Sequence, residues 1–238
     1  MNSVIPNNQR LIVALDFPDI KQAQELVEKL SDSVSFYKIG LELSMSGNYF
    51  RLIEWLAQKN KRIFADLKLF DIAATVGKAV KNLSKYQNIS FVTIHAASKE
   101  IMLAAAENKG NMNILAVTVL TNIDRNDLID MGFGENVKLN DLVLKRAKLA
   151  KECKIDGVIA SGLEAQNIRN LNGEDFLIVT PGIRLQALNN DDQKRTVDVQ
   201  TAFKNGADYI VVGRPISKAD NPEQIARIIQ TQINSALS

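Results

Sequence analysis

Short apolar runs recur along this chain, and each is followed by a longer amphipathic stretch. The first pattern fits strands buried on both faces, and the second fits helices that bury one stripe. Residues 11–16 form the first run, and Pro18 with Asp19 starts a helix reaching to about Leu30. Runs at 35–40, 63–68 and 90–95 follow, with helices predicted over 48–58, 75–85 and 98–108, the last opened by Ser98 as N-cap. A fifth run at 113–120 leads into a longer connection with a short turn near 124–130, then a helix over 139–152. The last three units pair 157–161 with 163–170, 176–181 with 196–205, and 209–213 with 222–233.

Eight strand–helix units in regular order, with no linker or break in composition, predict one α/β domain over residues 1–238, a (β/α)8 TIM barrel. The length agrees, because such barrels take about 250 residues. A doubly wound open sheet is the alternative. It usually carries a glycine-rich first turn, and Asp16-Phe-Pro-Asp19 is not one.

Composition narrows the function classes. With 46% hydrophobic and 24% charged residues the chain is an ordinary globular protein. The net charge of +2 and the scattered basic residues predict no nucleic-acid partner. The apolar runs are too short to span a bilayer, so no membrane partner is expected. Residues 1–10 are polar and lack the apolar segment of a secretion signal, which predicts a cytoplasmic protein. Cys153 is the one cysteine, excluding an intramolecular disulfide or a cysteine-rich zinc site.

The candidate chemistry sits where the apolar runs end. Asp16, Lys38, Asp66 with Lys68, His95, Thr118 or Thr121, Ser161, Arg184 and Arg214 all fall at or just past the C-terminal ends of predicted strands. In a barrel those ends converge on one mouth, where active sites are built. Asp66 and Lys68 alone would be explained by an ion pair at a strand end. The full set at one end predicts a functional mouth. Within the third strand, Phe64, Asp66 and Lys68 share one face and Ala65, Leu67 and Leu69 the other. Asp16, Lys38, Asp66, Lys68 and Asp71 make an alternating row of carboxylates and ammoniums. Neighbouring carboxylates favour a charged lysine, which cannot serve as a Schiff-base nucleophile but can donate a proton. The same carboxylates suit Mg²⁺, although the interleaved lysines oppose it. Arg184, the polar loop 188–195 and Gly213-Arg214 come from units seven and eight, which commonly hold a phosphate in such barrels.

Asp66-Leu-Lys68-Leu-Phe-Asp71-Ile72-Ala-Ala-Thr75 closely resembles the Asp-x-Lys-x-x-Asp-Ile-Pro-x-Thr signature of the orotidine 5′-phosphate decarboxylase family. Further blocks look like that family in order along the whole chain, among them Tyr37-Lys-Ile-Gly40, Thr93-Ile-His-Ala96, Val179-Thr-Pro-Gly-Ile-Arg184, Asp191-Asp-Gln-Lys-Arg195 and Gly213-Arg-Pro-Ile216. The resemblance implies the last step of de novo UMP synthesis, run without metal or cofactor. Lys68 would protonate C6 of the pyrimidine, with Asp66 set against the departing carboxylate and Lys38 beside it. Asp16 and Lys38 would hold ribose hydroxyls, and Thr121 would touch the substrate. Arg184, Gln193, Gly213 and Arg214 would bind the 5′-phosphate. Asp71, Ile72 and Thr75 would complete the site of a neighbouring subunit, which makes a homodimer the expected form. His95 matches a family position with no chemical step assigned, which predicts a packing or hydrogen-bonding role. Ser161 would meet the base.

Three departures stand out: Ala73 replaces the family proline, Phe70 a residue usually small or polar, and the text around Ala160–Glu164 differs slightly. Two other readings compete. One is a Mg²⁺-dependent sugar-phosphate decarboxylase or aldolase of the same superfamily. The other is a catalytically silent nucleotide-binding barrel, which would be expected to lose a member of the charged row; none is lost.

Overall fold

The computed structural model describes residues 5–184 and 195–238. Its strands β1 (Leu11–Ala14), β2 (Phe36–Ile39), β3 (Arg62–Leu69), β4 (Ile89–His95), β5 (Asn113–Val117), β6 (Gly157–Ile159), β7 (Leu177–Thr180) and β8 (Tyr209–Val212) close into a barrel in that order. Every adjacent pair is parallel, and closure sets Leu11 opposite Ile210 and Val13 opposite Val212. The helices in the first half are α1 (Ile20–Leu30), α2 (Leu41–Met45), α3 (Tyr49–Gln58), α4 (Ala73–Leu83) and α5 (Lys99–Asn108). Those in the second half are α6 (Arg125–Asp130), α7 (Leu139–Glu152), α8 (Ala165–Asn172), α9 (Val199–Lys204), α10 (Arg214–Ser217) and α11 (Pro222–Leu237). Among the described residues, no helix is long and apolar enough to cross a membrane.

Alternation along the strands divides the apolar residues into two cores. Ile12, Phe36, Phe64, Phe91, Tyr209 and Val211 fill the barrel interior. Their neighbours, such as Val13, Tyr37, Ala65 and Val92, pack outward beneath the helices. Burying each large side chain contributes about 1.5–3 kcal/mol, so the aromatic centre is a rigid floor for whatever lies above it. Arg62, the first residue of β3, sits with its guanidinium carbon 4.2 Å from the Phe36 ring centroid. It also donates to Gln9 at 3.0 Å and Ser90 at 3.1 Å, closing the opposite end of the interior.

The predicted units are present, with local differences. Helices α2 and α10 were not predicted; each is shorter than two turns and carries no repeated apolar stripe. Strands β5 and β6 end earlier than expected, at Val117 and Ile159. Helix α9 begins at Val199 rather than at 196, because Asp198 caps it by accepting from the Thr201 N–H at 2.7 Å. The largest departure from regularity lies in β3. Ala65 pairs with Val92 but Leu69 pairs with Ile94, so four steps along β3 match two along β4. Lys68 sits inside that bulge at φ 48°, in the left-handed region. Bulges of this kind re-aim side chains. The side expected for Lys68 holds nonetheless, since Phe64, Asp66 and Lys68 all line one cavity.

Candidate active site

At the C-terminal mouth of the barrel four charged side chains form a continuous chain. Asp16, two residues past β1, accepts from the Lys38 ammonium at 2.7 Å. Lys38 lies 3.5 Å from Asp66 Oδ2, and the same oxygen accepts from Lys68 Nζ at 2.8 Å. The remaining oxygen of Asp66, Oδ1, accepts from the Thr93 hydroxyl at 2.9 Å. Asp66 is buried at 8% exposure, where an unpaired carboxylate would be costly. Its partners reverse that cost. Burial pushes the Asp66 carboxyl upward, but Lys38, Lys68 and the hydrogen bonds from Lys68 and Thr93 outweigh it and hold the group below the usual carboxylate range. Burial likewise pulls the Lys38 ammonium down, and Asp66 with Asp16 more than offsets this, so its pKa is raised. The pair is therefore ionised, and the site presents fixed charge rather than a neutral hydrogen-bonding surface.

A cavity of about 680 Å³ opens above this row. Asp16, Lys38, Asp66 and Lys68 line it, as do Thr121, Arg184, Gly213 and Arg214. Eight residues singled out by sequence thus meet in one space. Phe64, Val117, Ile159 and Val211 supply an apolar wall. Gly182 reaches φ 77° between β7 and Arg184, a turn that favours glycine. Gly213 precedes α10, in which Pro215 carries no N–H and the Ile216 and Ser217 N–H groups donate to the Gly213 carbonyl at 2.9 and 3.0 Å. The guanidiniums of Arg184 and Arg214, from the lining of the same cavity, suit a dianionic phosphate.

Asp71, Ile72 and Thr75 are exposed and do not line the cavity. Asp71 Oδ1 accepts from the Ile72 N–H at 2.6 Å, and Ile72 precedes α4 in an extended conformation. Gln193 lies outside the described residues. Ser161 is fully buried and absent from the cavity lining. Its hydroxyl accepts from the Leu163 N–H at 3.2 Å and donates to the Arg195 carbonyl at 3.4 Å, so it shapes the turn after β6. His95 packs edge-on against Phe70, with ring centroids 5.6 Å apart. Burial, and then the charges of Lys68 and Arg146, push its pKa down, which favours the neutral ring.

Two groups escaped the reading of the sequence. Thr93, mid-strand in β4, joins the charged row through Asp66. Arg195 donates to Glu164 and to the carbonyls of Val119 at 3.2 Å and Leu120 at 2.9 Å. That clamp fixes the backbone leading to Thr121. Burial raises the Glu164 carboxyl despite its partner Arg195. A threonine in a strand and an arginine in a polar loop carry no local signal of these contacts.

Comparison with known proteins identifies the family of the chain. The sequence model of the "Orotidine 5'-phosphate decarboxylase / HUMPS family" matches residues 9–229. The chain is 51% identical over 238 residues to an orotidine 5'-phosphate decarboxylase of Methylococcus capsulatus, covering 100% of this chain and 97% of the relative. It is 52% identical over 233 residues to that of Stenotrophomonas maltophilia, covering 98% and 95%. Among solved structures, the orotidine 5'-phosphate decarboxylase of Lactobacillus acidophilus superposes with a TM-score of 0.84 at 34% identity, covering 95% of this chain and 99% of the other.

Proposed function

Because the chain belongs to the orotidine 5′-phosphate decarboxylase / HUMPS family, we propose that it is a carboxy-lyase that converts orotidine 5′-phosphate to uridine 5′-phosphate in pyrimidine biosynthesis. The carrying observation is the row Asp16–Lys38–Asp66–Lys68 in a cavity whose lining also includes Arg184 and Arg214. Loss of CO₂ leaves an electron pair at C6 in the plane of the ring, where the π system cannot absorb it. A pre-placed ammonium stabilises such charge as it develops and then supplies the proton. Lys68 fits that role. Asp66, held ionised, lies where it would crowd the substrate carboxylate, a ground-state contribution. Lys38 with Asp16 suits the ribose hydroxyls, Thr121 the substrate, and Arg184, Gln193, Gly213 and Arg214 the 5′-phosphate. Phosphate binding remote from C6 then supplies energy used at the reacting carbon.

We further propose a cytoplasmic homodimer in which Asp71, Ile72 and Thr75 enter the neighbouring site. Their exposure supports this, as does their position just past the end of β3. The reaction would need neither metal nor cofactor. Both oxygens of Asp66 are already engaged by Lys38, Lys68 and Thr93, which disfavours the Mg²⁺-dependent alternative.

The test is the ultraviolet change of orotidine 5′-phosphate on adding purified protein, with and without chelator. Turnover unaffected by chelator is expected. Lys68→Ala should abolish turnover while uridine 5′-phosphate still binds. Loss of activity on chelation, or substantial decarboxylation by Lys68→Ala, would overturn the mechanism.

A further inference from the structure

The alternating faces of β4 place Phe91, Thr93 and His95 toward the barrel axis, while Val92 and Ile94 belong to the outer core. Thr93 therefore stands one layer above Phe91, at 0% exposure. Its hydroxyl uses both directions. It donates to Asp66 Oδ1 at 2.9 Å and accepts from the Lys68 backbone N–H at 2.9 Å. The side chain is fully buried, and the β-ladder has no use for its hydroxyl. The second contact falls inside the β3 bulge, at the residue with φ 48°. A left-handed lysine is disfavoured by roughly 1–2 kcal/mol and persists only where surroundings hold it.

From this geometry we propose that Thr93 is a positioning residue for decarboxylation, locking the Asp66 carboxylate and the Lys68 backbone to one another. The inference rests on the reaction proposed above and extends it to a residue outside the cavity lining. With Oδ1 held by Thr93, Asp66 turns Oδ2 to both ammoniums. With its N–H held by the same hydroxyl, Lys68 stays in the bulge that sends its side chain into the cavity. Removing the hydroxyl strands one charged acceptor and one backbone donor together, and lets the bulge relax toward regular strand.

Thr93→Val keeps shape and volume and deletes the hydroxyl, whereas Thr93→Ser keeps the hydroxyl and deletes a methyl. Hydrogen bonds to charged groups are worth enough that kcat on orotidine 5′-phosphate should fall roughly 10- to 100-fold in Thr93→Val. The Kd for uridine 5′-phosphate should stay within about threefold, since the phosphate and ribose contacts are untouched. Thr93→Ser should recover most of the lost kcat. The proposal is overturned if Thr93→Val keeps kcat within twofold of wild type. It is equally overturned if Thr93→Ser loses as much as Thr93→Val, or if kcat and nucleotide affinity fall together. Should Thr93→Val fail to fold, Thr93→Ser against wild type decides alone, near-wild-type kcat being required. Absence of turnover in the wild-type control would instead count against the reaction itself.

Discussion

At the scale of single residues, the site depends on how closely backbone approaches the charged row. Gly40 follows β2 and caps α2, and a methyl added there would lie 3.1 Å from Lys38 Nζ and 3.3 Å from Asp16 Oδ1. Its φ of −99° and ψ of −167° are open to alanine, so substitution introduces crowding without backbone strain. The crowded atoms are the ends of flexible side chains, which can move a few tenths of an ångström. Gly40→Ala is therefore expected to leave Tm nearly unchanged and to lower kcat/KM by roughly 3- to 10-fold, because small displacements of positioning groups are amplified in rate. Steady-state kinetics beside a thermal melt check this; unchanged kcat/KM would mean that Lys38 tolerates displacement. Four members of the row, Asp16, Lys38, Asp66 and Lys68, were legible in the sequence for a physical reason, whereas Asp71 is exposed and stands outside it. Charges closing an apolar strand are too costly to leave unpaired, so Asp66 and Lys68 imply partners, and the polar ends of the other strands imply one shared mouth. Thr93 was not legible, because threonine is at home in any strand and nothing local reveals which oxygen it will meet.

At the scale of elements, the backbone entering helix α4 is one that would accept proline at Ala73. Ile72 precedes it at φ −57° and ψ 149°, the extended conformation that a following proline imposes, and Ala73 is the first helical residue. Proline is favoured there because the first N–H has no acceptor within the helix. Ala73→Pro should consequently stabilise the fold by about 0.4–1 kcal/mol, chiefly by restricting the unfolded chain. For a chain of this size that corresponds to a rise in Tm of about 1–4 °C. Calorimetry reads it directly, and a lower Tm would show that Ala73 has a backbone conformation proline cannot adopt. Elements differ in how plainly they can be read. Strands such as β1 and β8 were evident because burial on both faces makes them unbroken apolar runs. Helix α2 was hidden, since five residues ending in an exposed Met45 leave no amphipathic period to detect. The β3 bulge was hidden too. An alternating pattern assigns faces to Asp66 and Lys68, but the turn of Lys68 to positive φ comes from pairing with β4, a partner distant in sequence.

At the scale of the whole molecule, the proposed dimer would account for a set of exposed apolar side chains. Met45, Ile72 and Phe70 are 78%, 71% and 67% exposed, and Leu41 and Phe50 are half-exposed. All belong to the second and third units, adjacent in the barrel through the pairing of β2 with β3. Apolar side chains gathered this way suit a contact with a second copy. A two-fold axis would bring the same segment of each protomer to the other, so that each mouth gains an Asp71 it does not itself supply. Subunit mixing tests that arrangement. Lys68→Ala and Asp71→Ala are each expected to be inactive as pure proteins. In a heterodimer of the two, one site takes Lys68 from the second variant and Asp71 from the first, and is intact; the other site lacks both. Random pairing makes half the dimers mixed with one working site in two, so equal co-expression should restore about a quarter of wild-type specific activity. If Lys68 and Asp71 of one site came from the same protomer, every site in the mixture would lack one of them and no activity would return.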